Sequence, residues 1–283
     1  LLEADHPPDR GPLLVVPSAA DADRYRRELA DGGVVFGVSV LVFADLIGEI
    51  ARRSGVDGRA LGPAARERVA AEAIEHAQLE YLAAASATDG FPAALARLAD
   101  ELAGQSVQPE EFHELLRAWS EGNSSRRKYS DELSALILAD RELMTEHGLA
   151  TVELLAAESV ARLELDPSLW GRTPVMLYGF DDLTAIERDA VRVLAGPVGA
   201  DVTMTLTHEP GRMLFGPRER LHRDLLGMGA SETRVKPDDS YYAGGARAAL
   251  SHIERSLFEP DAPRATGSGG VSAICGGGER AEL

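Results

Sequence analysis

Regular patterning begins with four consecutive apolar residues, Leu13-Leu14-Val15-Val16, stopped by Pro17 and Ser18. A short run of that kind reads as a strand buried on both faces. Ser18 can cap a helix, and from Ala19 to about Ala30 the positions Ala22, Tyr25 and Leu29 recur three or four apart. That spacing predicts an amphipathic helix, ended by Gly32-Gly33. Val38, Val40 and Val42 alternate as a second strand closed by Phe43, and Asp45 to Arg53 carries Leu46, Ile47 and Ile50 at helical spacing. Two strand-helix units in series predict a parallel sheet.

Between Gly62 and about Glu164 the strand signal disappears. Helical periods run over 64–84, 91–102, 109–119, 130–147 and 151–163, with Pro92 and Pro109 near helix starts and Gly104, Gly122 and Gly148 near helix ends. The α/β alternation then resumes with a strand over 174–179, a helix from Thr184 to Gly196, a strand over 201–207 and a helix over 217–227. A brief strand is predicted at 233–236 and a helix over 245–258; Glu259 to Gly270, rich in Pro, Gly and Ser, reads as a linker. Val271 to Cys275 reads as one more strand, and Glu279 to Leu283 as a helix that the chain does not finish, while the opening residues read as a helix tail. The pattern predicts an α/β fold, a parallel-sheet domain split by an all-helical insertion, with 1–60 as its first part, 61–165 the insertion and 166–283 the remainder. Both ends fall inside units that a complete domain would continue.

Composition narrows the function. At 45% apolar residues the chain can bury a core, no stretch approaches the roughly 20 apolar residues of a membrane span, and no signal peptide is recognisable, so a cytoplasmic address is expected. A single cysteine, Cys275, excludes an internal disulfide and a cysteine-cluster metal site. Net charge is −17, which repels DNA phosphates on average, so nucleic-acid binding requires a local basic strip.

Candidate chemistry is sparse. No G-x-x-x-x-G-K-[ST] phosphate loop is present, so the backbone cradle, lysine and magnesium-binding hydroxyl of an ATPase are missing, and no catalytic residue is assigned. Gly276-Gly277-Gly278 lacks the spacing of a dinucleotide loop. Asp181 and Asp182 follow a predicted parallel strand, where motor ATPases hold magnesium and water; as residues opening a helix they would equally complement its dipole. The seven histidines show no H-x-x-x-H or H-E-x-x-H spacing and read as surface residues, so no metal is expected. Ser18 lacks a nucleophile elbow and reads as a cap or a backbone contact. Arg126-Arg127-Lys128-Tyr129, after the turn Gly122-Asn123-Ser124-Ser125, places positive charge beside an aromatic, either as a phosphate-tracking loop or as a solvated connection between helices.

Four ordered segments, Leu14-Val15-Val16-Pro17-Ser18, Val40 to Leu46, Leu177 to Thr184 and Gly278 to Glu282, together resemble the AddB (RexB) subunits of bacterial ATP-dependent helicase-nucleases, members of the PD-(D/E)XK nuclease group. The resemblance implies a RecA-like (P-loop NTPase-like) domain with the helical insertion of superfamily 1 helicases. It makes Ser18-Ala19 and Phe43 candidate contacts to single-stranded DNA, with Phe43 as stacking platform or as a core residue closing its strand. Asp181 and Asp182 become degenerate magnesium-motif positions. This chain has Val42 where the family has threonine, and it lacks an aspartate-glutamate pair at 178–182, both of which fit an inactivated motor. A noncatalytic DNA-binding and scaffolding region acting in double-strand break repair, partnered by DNA and an AddA-type helicase-nuclease subunit, is therefore expected. Two alternatives stand beside it. One is part of an active motor using ATP and Mg, its phosphate loop upstream of Leu1; the other is a protein-interaction domain without DNA contact.

Overall fold

The computed structural model describes residues 11–31, 37–265 and 271–272. The chain divides into two compact units, Leu1–Thr205 and Leu206–Leu283.

In the first unit β1 (Leu13–Val16) leads through α1 (Ala19–Asp31) to β2 (Ser39–Val42), which runs directly into α2 (Phe43–Ser54). Six more helices follow: α3 (Pro63–His76), α4 (Ala83–Ser86), α5 (Phe91–Gly104), α6 (Pro109–Trp119), α7 (Ser124–Glu146) and α8 (Val152–Leu165). Then come β3 (Val175–Leu177), α9 (Ala185–Ala195) and β4 (Val202–Met204). The four strands form one all-parallel sheet in the order β2-β1-β3-β4. The fold is α/β, as expected.

Strand order fixes which helices cover which face. The crossover from β1 to β2 runs one way along the sheet and those from β2 to β3 and β3 to β4 run the other, so right-handed connections place α1 on one face and the later helices on the opposite one. On α1's face Val16 and Val40 pack with Ala22, backed by Leu14, Tyr25, Leu29 and Val42. Leu13, Val15, Val175 and Leu177, of the other strand parity, are buried as well. Leu46 and Ile50 of α2 and Val193 and Leu194 of α9 are fully buried, and α8 packs against both helices. Arg53 knits α2 to the chain before β3: it donates to the Trp170 carbonyl and to Thr173 Oγ1 (3.1 Å), and its guanidinium lies 4.1 Å over the Trp170 ring. Thr184 caps α9 in a capping box, accepting from Glu187 N at 3.3 Å while Glu187 Oε2 accepts from Thr184 N at 2.8 Å.

The helical stretch has its own core. Ala70, Leu82, Leu95, Ala96, Leu133, Leu136 and Ile137 form one cluster, and Val69, Ala73, Leu143 and Met144 another. Two expectations are corrected here. The helix predicted over 64–84 breaks after His76, because Glu132 accepts the backbone N–H groups of Glu80, Tyr81 and Leu82 at 3.0, 2.7 and 2.8 Å and so satisfies donors that a continued helix would have paired. The helix predicted from Ser130 begins six residues earlier, because the Asn123 side chain caps it by accepting from Arg126 N at 3.0 Å. Arg126, Arg127 and Lys128 therefore stand on the first turns of α7, not in a loop.

The second unit contains α10 (Glu219–Gly227) and α11 (Arg247–Ser256). The strand predicted at 233–236 is absent: Val235 is 90% exposed, and that segment pairs with no strand among the described residues. The predicted strand from Val271, with the glycine run and helix after it, lies almost wholly outside the described residues. No helix among the described residues is long and apolar enough to cross a membrane.

Candidate nucleic-acid interface

Two places in the first unit gather the residues singled out above. One is the carboxyl edge of the sheet. The chain leaves β1 toward β2 and leaves β3 toward β4, so β1 and β3 flank the point where strand order reverses, the crevice where open parallel sheets bind ligands. Ser18-Ala19, exposed, follow β1; Asp181-Asp182, exposed, follow β3. The two loops adjoin, since a Cβ added to Gly179, whose φ is +83°, would meet Pro17 Cδ at 3.7 Å. Ser18 Oγ donates to Asp21 Oδ2 (2.6 Å) and accepts from Asp21 N (3.2 Å), which makes it the cap of α1. Asp182 Oδ1 accepts from Leu183 N at 2.8 Å and lies 3.9 Å from Arg188 Nη1. Neither aspartate opens α9, whose cap is Thr184.

Phe43 belongs to this edge by position and to the core by environment. It is 5% exposed and stands edge-on to Phe180 at 5.8 Å. A ring held that way has no open face for a base.

The second place is the end of the α6–α7 hairpin. Phe112 and Leu116 of α6 turn into the helical core, and Trp119, the last residue of that helix, is 51% exposed. Tyr129 of α7 stands edge-on to Trp119 at 6.2 Å and to Tyr81, itself 51% exposed, at 6.3 Å. The Arg126 guanidinium lies 4.8 Å over the Trp119 ring. Arg126 and Arg127 have no ion-pair partner among the described residues, whereas Lys128 reaches Glu80 at 3.4 Å. Cations in the first turns of a helix oppose its dipole, so this placement does not serve α7 itself, and it adds positive charge where backbone N–H groups already attract anions. Glu132 fixes the Tyr81 end of the row. Burial works against its charge, but the three N–H donors prevail and hold the carboxyl below the ordinary carboxylate range.

Arg126, Arg127, Lys128 and Tyr129 thus follow one another on a helix where a loop was expected; Trp119 and Tyr81 were not singled out. Trp119 lies seven residues before Arg126 across a Gly-Asn turn, and a tryptophan closing an amphipathic helix beside a basic run was the available signal. Two histidines also meet, against the scattered reading: His208 and His222 stack at 4.2 Å in the second unit.

No protein-family model matches this chain, and neither does any curated protein.

Proposed function

We propose that this chain is a noncatalytic, helicase-like DNA-binding and scaffolding region of a helicase-nuclease subunit, cytoplasmic and acting in double-strand break processing. Its sheet unit is read as a RecA-like domain split by the helices between β2 and β3. The observation that carries the DNA reading is the row Tyr81–Tyr129–Trp119–Arg126: the half-exposed rings of Tyr81 and Trp119, joined through the partly buried Tyr129, with an Arg126 guanidinium that has no carboxylate partner, suit stacked bases and a tracked phosphate backbone. It supplies the local basic strip that a chain of net charge −17 requires. Single strands are the natural ligand, because an aromatic row reaches only unstacked bases.

The crevice between β1 and β3 supports the helicase-like reading by its place and its paired aspartates, and the sequence carries no phosphate loop for it. ATP and Mg would enter only with a phosphate loop upstream of Leu1. An AddA-type subunit is the proposed protein partner.

The test is competition between single-stranded and duplex oligonucleotides for the chain and for Arg126→Glu/Arg127→Glu. Preferential single-strand binding, lost in the double variant while its thermal unfolding is unchanged, supports the reading. Equal binding by the double variant removes this interface from it.

A further inference from the structure

The second unit has little apolar packing to hold it. Among its described residues Leu221 is the one buried apolar side chain, and Ser251 the one buried polar one. A unit with so small a core ordinarily needs a disulfide, a metal or a partner, and one cysteine in the whole chain rules out an internal disulfide.

A set of metal-ligating side chains gathers at the start of α10. His208 enters from the segment before α10, Glu219 opens α10, and His222, three residues on, projects from the same side of the helix. One ligand atom from each of the three lies within 4.8 Å of the others. The His208 side chain is 6% exposed, with Nε2 2.7 Å from Glu219 Oε2. The imidazoles stack at 4.2 Å with 20° between their planes. Nε2 of His222 is buried and makes no hydrogen bond, although Glu232 Oε2 stands 3.4 Å away. A buried ring nitrogen left without a partner is destabilising, and two stacked imidazoles beside two carboxylates are what a bound cation would satisfy together.

The geometry points to a divalent transition-metal site of the zinc class, with His208, Glu219 and His222 as ligands and Glu232 beside them. Two imidazoles and a carboxylate are a donor set that zinc takes, whereas calcium and magnesium prefer oxygen alone. Ligand atoms around a tetrahedral zinc lie roughly 3.3–3.5 Å apart for bonds of about 2.0–2.1 Å. The observed separations, 2.7 Å for the His208–Glu219 contact and within 4.8 Å across the set, bracket that spacing; because a metal bond lies in the plane of each imidazole, one ring swings out of the stack when both hold the ion. The metal's role is structural: it ties the segment before α10 to α10 itself and, through Glu232, to the chain beyond it.

The test titrates zinc into the whole chain after chelator treatment and dialysis, in competition with a chromogenic chelator, with cobalt(II) as spectroscopic probe. One zinc per chain at micromolar affinity or tighter, with the visible bands of tetrahedral cobalt, is expected. His208→Ala and His222→Ala should each weaken binding by more than the roughly 10–100-fold that an outer supporting partner is worth, and His76→Ala should not. Glu219→Gln, nearly isosteric, repeats the test where an alanine variant fails to fold. In the unaltered chain zinc should also slow protease cleavage within 206–265. No zinc binding by the unaltered chain, or undiminished binding by the His208→Ala/His222→Ala double variant, overturns the site; cleavage indifferent to zinc overturns its structural role.

Discussion

Phe43, the first residue of α2, meets Phe180, beyond the end of β3, edge to face at 5.8 Å and 90°, although β1 lies between the two strands in the sheet. The pair closes the carboxyl end of the sheet core beneath the crevice. Phe43→Ala should therefore lose about 3–5 kcal/mol of stability in urea unfolding, the range for emptying a buried phenylalanine. Oligonucleotide affinity, measured where the variant is still folded, should not change. Unchanged stability with lost affinity would return Phe43 to the DNA contact.

In the helical stretch Arg66, 6% exposed, pairs both terminal nitrogens with Asp140, 3% exposed, at 2.7 and 2.8 Å, and its Nε with Asp100 at 2.8 Å. The links join α3, α7 and α5. Asp140→Ala takes the carboxylate from both buried terminal nitrogens of Arg66, leaving only the part-buried Asp100 on Nε, and should lose about 3–5 kcal/mol, while Arg66→Met with Asp140→Leu should recover most of it, since what is destabilising is a buried charge left largely without its partner. Asp100, only part buried, can then turn to water. Chemical denaturation of the two variants checks this; a double variant as weak as the single one would mean that the ion pair itself is stabilising.

Acid should loosen the contact of α2 with the chain before β3. Burial raises the Glu49 carboxyl, but hydrogen bonds from Arg52 and Arg53 outweigh it and leave the group below its ordinary range. A depressed carboxyl contributes stability that is present above its unfolded value, about 4.3, and is lost as pH falls through the lower folded value. Urea midpoints should therefore drop on acidification from pH 5 toward 3, and less steeply in Glu49→Gln. Equal slopes would show that Glu49 does not carry the effect.

The sheet was legible because its signals are local. Leu13 to Val16, alternating Val40 and Val42, and Thr184 at the head of its helix each name their element without help from the rest of the chain. What escaped depends on distant partners. Glu132 ends a helix by accepting from residues about fifty positions earlier, and no periodicity before His76 announces it. Asn123 was read as part of a turn when its amide caps a helix, which moved the basic run from loop to helix. His208 and His222 show no metal spacing along the chain and meet only through folding, although Glu219 and His222 at helical spacing were visible as a pair.

The central claim is that the aromatic row at the end of α6 and α7 binds single-stranded DNA. Its most direct test is fluorescence anisotropy of a labelled oligonucleotide against the chain and Trp119→Ala, at low salt and then at rising salt. The account predicts affinity that falls with salt and a further loss of about 1–3 kcal/mol, roughly 5- to 150-fold, when the stacking surface is removed. An unaltered chain that does not bind at low salt, or a Trp119→Ala variant that binds as tightly, would contradict it.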